Sequence, residues 1–229
     1  MKIGIIGAMA VEVESLKSKI KNADRETVSG IEFVSGELCG KQVVVAQCGI
    51  GKVFAAICAE AMIVRFGVDR IINTGVAGTL SENIGILDLA LSSGVVQHDM
   101  DTSPLGDPVG LISGINIVEM PASEALVSFI ERAADGMGIK HERGVIASGD
   151  QFINSREKKS FIRDTFGAIA CEMEGAAIGH VCFVNGVEFA IVRSISDNAS
   201  GEADMEYPEM VKRAAAQSEA LVEAILASL

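Results

Sequence analysis

The stretch Lys41–Cys48 reads KQVVVAQC, lies between Gly40 and Gly49, and decides the fold class. A short β-branched run bounded by glycines is a buried strand. The Ala-rich Lys52–Phe66 follows it as a predicted helix that stops at Gly67, and Arg70–Thr74 follows as another strand, breaking at Gly75. Strand, helix and strand in succession make an α/β unit, which needs helices on the faces of a sheet. Working outward, Lys2–Ile6 is a buried strand and Val11–Lys21 a helix. Ser123 caps a helix running to Met137, Gly138 stops it, and His141–Ala147 is a strand. The run after Ser155 is helical, Ala168–Cys171 a short strand, Met173–Val184 a Gly/Ala-rich helix and Val187–Ile195 a strongly apolar strand. Asn198–Tyr207 is polar, and Pro208–Ser228 is a closing helix with proline in its first turn. Strands at 30–48 and 86–99 succeed one another without a helix, so the central sheet is expected to be mixed. The expected class is α/β, a three-layer α/β/α sandwich. No Pro/Ser-rich linker divides the chain, and residues 1–229 read as a single domain.

Hydrophobic residues make up 49% of the 229, enough for a sizeable core. A net charge of -12 argues against nucleic acid and against anionic lipid, both of which need a basic surface. The five cysteines include no C-x-x-C pair, and Cys48, Cys58, Cys171 and Cys182 lie in apolar runs, so a reduced setting is expected. Three histidines without ligand spacing disfavour a metal. No apolar run reaches the ~18 residues of a membrane span. Ala8-Met9-Ala10 follows too short an apolar stretch for a signal peptide. The expected location is the cytoplasm.

Chemistry concentrates in Cys171-Glu172-Met173-Glu174-Gly175-Ala176-Ala177 and in Arg193-Ser194-Ile195-Ser196-Asp197. Carboxylates in apolar surroundings are costly unless paired or functional. Glu174 and Asp197 therefore read as an acid/base couple with Arg193 between them. The plain alternatives are a helix-start carboxylate for Glu174 and an Asx-turn for Asp197. Glu12 is a third candidate, although its local sequence reads equally as a solvated position like Glu14. Gly49-Ile50-Gly51 and Asn73-Thr74-Gly75-Val76-Ala77-Gly78 are Gly-rich exits from strands, where backbone N–H groups approach ligands closely. Phe152, in Ser148-Gly149-Asp150-Gln151-Phe152-Ile153, suits stacking on a flat ring. Gly4-Ile5-Ile6-Gly7 lacks the middle glycine of a dinucleotide fingerprint and reads as a tight turn.

Taken together, MKIGIIGAM (1–9), CGIGK (48–52), the stretch 71–78, SGDQFI (148–153), CEMEGAA (171–177) and RSISD (193–197) resemble the 5′-methylthioadenosine/S-adenosylhomocysteine nucleosidases of the purine nucleoside phosphorylase superfamily, nearly end to end. The resemblance implies a nucleoside phosphorylase/hydrolase-type sandwich that forms a homodimer, uses no cofactor, and hydrolyses an N-glycosidic bond to release adenine and a 5-thio-ribose. It implies that Asp197 protonates adenine N7 and that Glu12 is the base for water, helped by Arg193. Glu174 would hold the ribose hydroxyls next to Met173. Phe152 and Ile153 would meet adenine, while Met9, Ile50 and Tyr207 would line the 5′-thio pocket. Ala77, Gly78, Glu172 and Ser196 would complete the substrate site, and segment 98–107, with Leu105, would reach across from a partner subunit. The physics agrees: adenine leaves poorly as an anion, so one carboxyl must give a proton while another stays ionised. This chain departs from the pattern at Val76, where relatives often carry Ser, and at Leu105 and Asp107, where they often carry aromatics.

Three rival readings remain. A phosphorylase on the same fold would need cations for phosphate, preferably Arg, and the stretch between Lys2 and Lys17 has none. A futalosine or 5′-deoxyadenosine hydrolase would share the carboxylates. A non-catalytic nucleoside sensor would have lost Glu12 or Asp197, and both are present.

Overall fold

Alternation along two strands sets the layers. In the computed structural model, which describes residues 1–197 and 207–228, β1 (Lys2–Gly7) and β4 (Lys41–Gln47) pair in parallel. Ile3, Ile5, Val43 and Val45 face one way, and Ile6, Val44 and Ala46 the other. Side chains alternate across a strand, so a run apolar at every position needs cover on both sides. One face takes α1 (Ala10–Lys19), α3 (Glu124–Gly136) and α6 (Tyr207–Ser228), through Leu16, Ile130 and Ile225. The other takes α2 (Lys52–Val64) and α5 (Gly175–Asn185), through Cys58, Met62, Ile178 and Cys182. The three-layer α/β/α sandwich with a mixed sheet is thus observed.

The sheet also includes β2 (Lys21–Val28), β3 (Ile31–Leu38), β5 (Arg70–Thr79), β6 (Leu89–Gln97), β7 (Met120–Pro121), β8 (His141–Ser148), β9 (Ala168–Glu172) and β10 (Glu188–Asp197). A meander, β2-β3-β4, forms one end. At the other end the sheet curls on itself. β5 pairs with β10, β10 with β6, β6 with β8, β8 with β9, and β9 with β5 again, so five strands close a ring. The ring closes where the carboxyl ends of β5 and β9 meet antiparallel, Gly78 against Cys171. A last helix, α4 (Arg156–Phe166), packs on β8 and β9 with Ile162 buried.

One expectation is corrected, and one strand was not foreseen. The strand from Arg70 does not break at Gly75 but runs to Thr79, because β10 pairs with it all the way, Gly75 opposite Arg193 and Gly78 opposite Asp197. Residues 21–28 carry no apolar alternation, yet they form β2, because the hairpin turn at Ser29-Gly30, both at positive φ, folds them onto β3. The polar stretch 198–206 lies outside the described residues.

Candidate active site

A cavity of about 320 Å3 opens beyond the carboxyl ends of β1, β4, β5, β8, β9 and β10. Ligands bind at this side of open α/β sheets. Its lining unites Met9, Glu12, Ile50, Ala77, Gly78, Phe152, Ile153, Glu172, Met173, Glu174, Arg193, Ser196 and Asp197, drawn from six separate segments. Leu105 does not line the cavity of its own chain; it is 83% exposed on a short 3₁₀ turn at 103–105. Tyr207 begins α6, and its side chain lies outside the described residues.

Glu12 sits in the first turn of α1 and is buried, not solvated. The Met9 N–H donates to its Oε2 at 2.9 Å. Its Oε1 lies against Gly75, where a Cβ would come within 2.9 Å of it. Burial raises the Glu12 pKa, opposed by the Met9 N–H and the Arg193 charge. Asp197 ends β10, its Oδ1 accepting the Thr79 N–H at 3.1 Å. Gly78 leaves the space that its carboxylate occupies, since a Cβ there would be 3.2 Å from Oδ1. The two glycines inside β5 therefore serve close approach rather than a turn.

Arg193, 1% exposed, occupies the centre. Its Nη2 donates to Glu172 Oε2 and to Asn73 Oδ1 and lies 3.9 Å from Glu174 Oε2. Burial opposes its charge, but the three surrounding glutamates outweigh burial and raise its pKa. Glu172 accepts from the Glu174 and Gly175 N–H groups at 3.0 and 2.8 Å, and from Ser148 Oγ. An ionised carboxylate has about four lone-pair sites, so these donors and Arg193 occupy Glu172. Glu172 lines the cavity and also anchors the N-terminus of α5.

That leaves Glu174 free of capping work. It stands at the N-cap position of α5 but makes no side-chain bond to the helix, and its Oε1 accepts the Gly51 N–H at 2.8 Å. Burial, then the Glu172 charge, push its carboxyl up to about 7 against the pull of Arg193 and the Gly51 N–H. Ser196 Oγ donates to the Ala77 carbonyl at 3.1 Å, tying β10 to β5 beneath the cavity. Phe152 stands 74% exposed at the rim, with Ile153 buried behind it.

The sequence reading missed Asn73, Ser148 and Lys159. Asn73 Nδ2 donates to the Ile6 carbonyl at 2.9 Å, and Ser148 Oγ accepts the Ala176 N–H at 2.6 Å. A polar residue inside the apolar strand at 70–74 was the available signal for Asn73. Lys159 Nζ donates to Asp197 Oδ2 at 2.8 Å, and nothing in its charged neighbourhood set it apart from Lys158. Among the described residues no cluster of His, Cys, Asp and Glu is placed to hold a metal ion.

The profile of the phosphorylase superfamily matches residues 2–227. Over 231 aligned residues, covering all of both chains, the sequence is 39% identical to a 5′-methylthioadenosine/S-adenosylhomocysteine nucleosidase of Shewanella halifaxensis. The fold matches the crystal structure of the Campylobacter jejuni nucleosidase of that name with a TM-score of 0.95 at 34% identity, all of both chains covered. It matches the futalosine hydrolase of Helicobacter pylori with a TM-score of 0.93 at 36% identity, covering 100% of this chain and 98% of that one.

Proposed function

This chain belongs to the phosphorylase superfamily and, within it, to the 5′-methylthioadenosine/S-adenosylhomocysteine nucleosidases, hydrolases of N-glycosidic bonds, and from that premise we propose its substrates and the tasks of its side chains. The substrates are 5′-methylthioadenosine and S-adenosylhomocysteine, and the products are adenine and the 5-thio-ribose. One observation carries the division of tasks. Glu12 lies against Gly75 and Asp197 against Gly78, three residues apart on one strand. The two carboxylates thus reach one cavity from separate elements, α1 and β10, so that one can serve the leaving base and the other the attacking water. Asp197, whose side chain is 26% exposed, protonates N7 of the leaving adenine. Glu12, the more enclosed, orients and deprotonates water. Glu174 holds the ribose hydroxyls. Phe152 stacks on the base, with Ile153 at its edge.

The charge pattern supports water over phosphate as the acceptor. Arg193 is the one cation among the described residues that line the cavity, and Glu172 already engages it. Met9, Ile50 and Val76 offer apolar groups for the thioether.

A second reading, futalosine or 5′-deoxyadenosine hydrolysis, uses the same carboxylates and is favoured by the likeness to the Helicobacter pylori futalosine hydrolase. Specificity constants for the four nucleosides separate the two. The thioether substrates are expected to lead by about tenfold or more, the scale on which an apolar pocket discriminates. A lead of that size for futalosine would replace the first reading.

We also propose that the protein is a single domain, works as a homodimer and resides in the cytoplasm. Ile50, Val53, Phe54 and Ile57 are exposed apolar side chains beside the cavity mouth, and Leu105 projects from segment 98–107. No helix among the described residues is long and apolar enough to cross a membrane, and all five cysteines are free thiols. Cell fractionation tests the compartment; recovery outside the cytoplasmic fraction would contradict it. Limited proteolysis tests the single domain, which two separately stable fragments would contradict.

A further inference from the structure

We propose that Lys159 is a positioning residue for Asp197, clamping the carboxyl that the reading above makes the proton donor; the inference rests on that reading. Helix α4 is rich in charge, and its basic side chains otherwise face outward. Lys158 Nζ donates to Gln151 at 2.9 Å and Arg163 Nε to Asp164 at 2.9 Å, both at the exposed surface. Lys159 instead turns inward beside Ile162 and is 6% exposed. An ammonium in such a place is costly unless paired, and a leucine or methionine would fill it more cheaply. Asp197 is one of its partners, with Oδ2 2.8 Å from the ammonium.

Asp197 needs that support. It ends β10 after an irregularity in its pairing with β5, between Ile195 and Asp197, and its side chain is 26% exposed. The Thr79 N–H holds Oδ1 and Lys159 holds Oδ2, so rotation of the carboxyl is stopped from two sides. Lys159 does not line the cavity, so it works through Asp197 and not on the substrate.

The pairing also suits the chemistry. As the glycosidic bond breaks, the O–H bond of Asp197 breaks and the N–H bond at N7 forms. The carboxylate left behind carries the negative charge. A fixed ammonium at 2.8 Å stabilises that charge as it develops, which is preorganised electrostatic catalysis delivered from behind the acid.

The test uses Lys159→Met, close in length and neutral, and Lys159→Arg, with two kinds of substrate. One is 5′-methylthioadenosine, whose base needs a proton to leave. The other is a 4-nitrophenyl glycoside of the same 5-thio-ribose, whose phenolate leaves without one. Lys159→Met is expected to lower kcat for the nucleoside by roughly 10- to 100-fold with KM little changed, the range for a misplaced general acid. It should leave kcat for the nitrophenyl glycoside near that of the parent, and Lys159→Arg should restore part of the loss. Added to Asp197→Asn, it should cost little more, because the two act as a unit. Equal losses on both substrates, or full additivity with Asp197→Asn, would overturn the clamp. So would normal turnover in Lys159→Met beside an inactive Asp197→Asn. Near-normal turnover in Asp197→Asn alone would instead remove the reading of Asp197 as donor.

Discussion

At the scale of single residues, burial works against the charge of Glu174. An ordinary glutamate titrates near 4.5, and here burial and the Glu172 charge push it up to about 7. The folded state therefore holds this proton more tightly than the unfolded state. Stability falls as pH rises from about 4.5 to about 7, and the cost is complete above that window. A shift of this size corresponds to about 3 kcal/mol. Glu174→Gln is expected to raise the melting temperature at pH 8 and to raise it less at pH 5, while impairing nucleoside binding. No gain at pH 8 would contradict the assignment. In the parent enzyme, binding that relies on ionised Glu174 weakens as pH falls below about 7. Local sequence left these carboxylates ambiguous. Glu12 looked like Glu14, and only the fold separates the buried one from the solvated one.

At the scale of elements, the N-terminus of α5 explains why two glutamates stand so close. Glu172 takes the helix N–H groups, Ser148 and Arg193, so that Glu174 is free to face the cavity. Glu172→Gln removes the charge opposite a fully buried guanidinium, at a cost on the order of 3 kcal/mol. Denaturant unfolding should show that loss. A variant as stable as the parent would mean that Arg193 is held by other groups. The spacing of glutamates in 171–177 was legible, but not which of them does structural work, because that depends on register across β8, β9 and β10. The run of β5 past Gly75 was equally hidden. Glycine usually marks an exit, and the carboxylates that need its missing Cβ come from α1 and β10, far away in sequence. The hydrophobic strands β1, β4 and β10 and the helices α3 and α4 were plain from pattern alone, since their apolar runs and the Ser123 cap are local; the structure adds Ser155 as the cap of α4.

At the scale of the whole molecule, the closed five-strand ring brings four segments to one cavity, and β1 and β4 beside it bring two more. Glu12, from the first helix, and Asp197, near the far end of the chain, line it together. The exposed apolar side chains Val53, Phe54 and Ile57 of α2, which begins two residues after Ile50 of the cavity lining, are the surface that the proposed homodimer would cover. Sedimentation at micromolar concentration should give a dimer, and Phe54→Glu should shift it towards monomer. A parent that sediments as a monomer would contradict the proposed assembly. Asp197 and Glu12 are proposed to divide proton donation and water activation between them. Chromatography of adenine release from 5′-methylthioadenosine in phosphate-free buffer tests it directly. The parent should release adenine, with added phosphate making no difference. Asp197→Asn and Glu12→Gln should each fall by roughly 10²-fold or more, the contribution of a general acid or base. Near-normal release by either folded variant, or release that requires phosphate, would contradict the account.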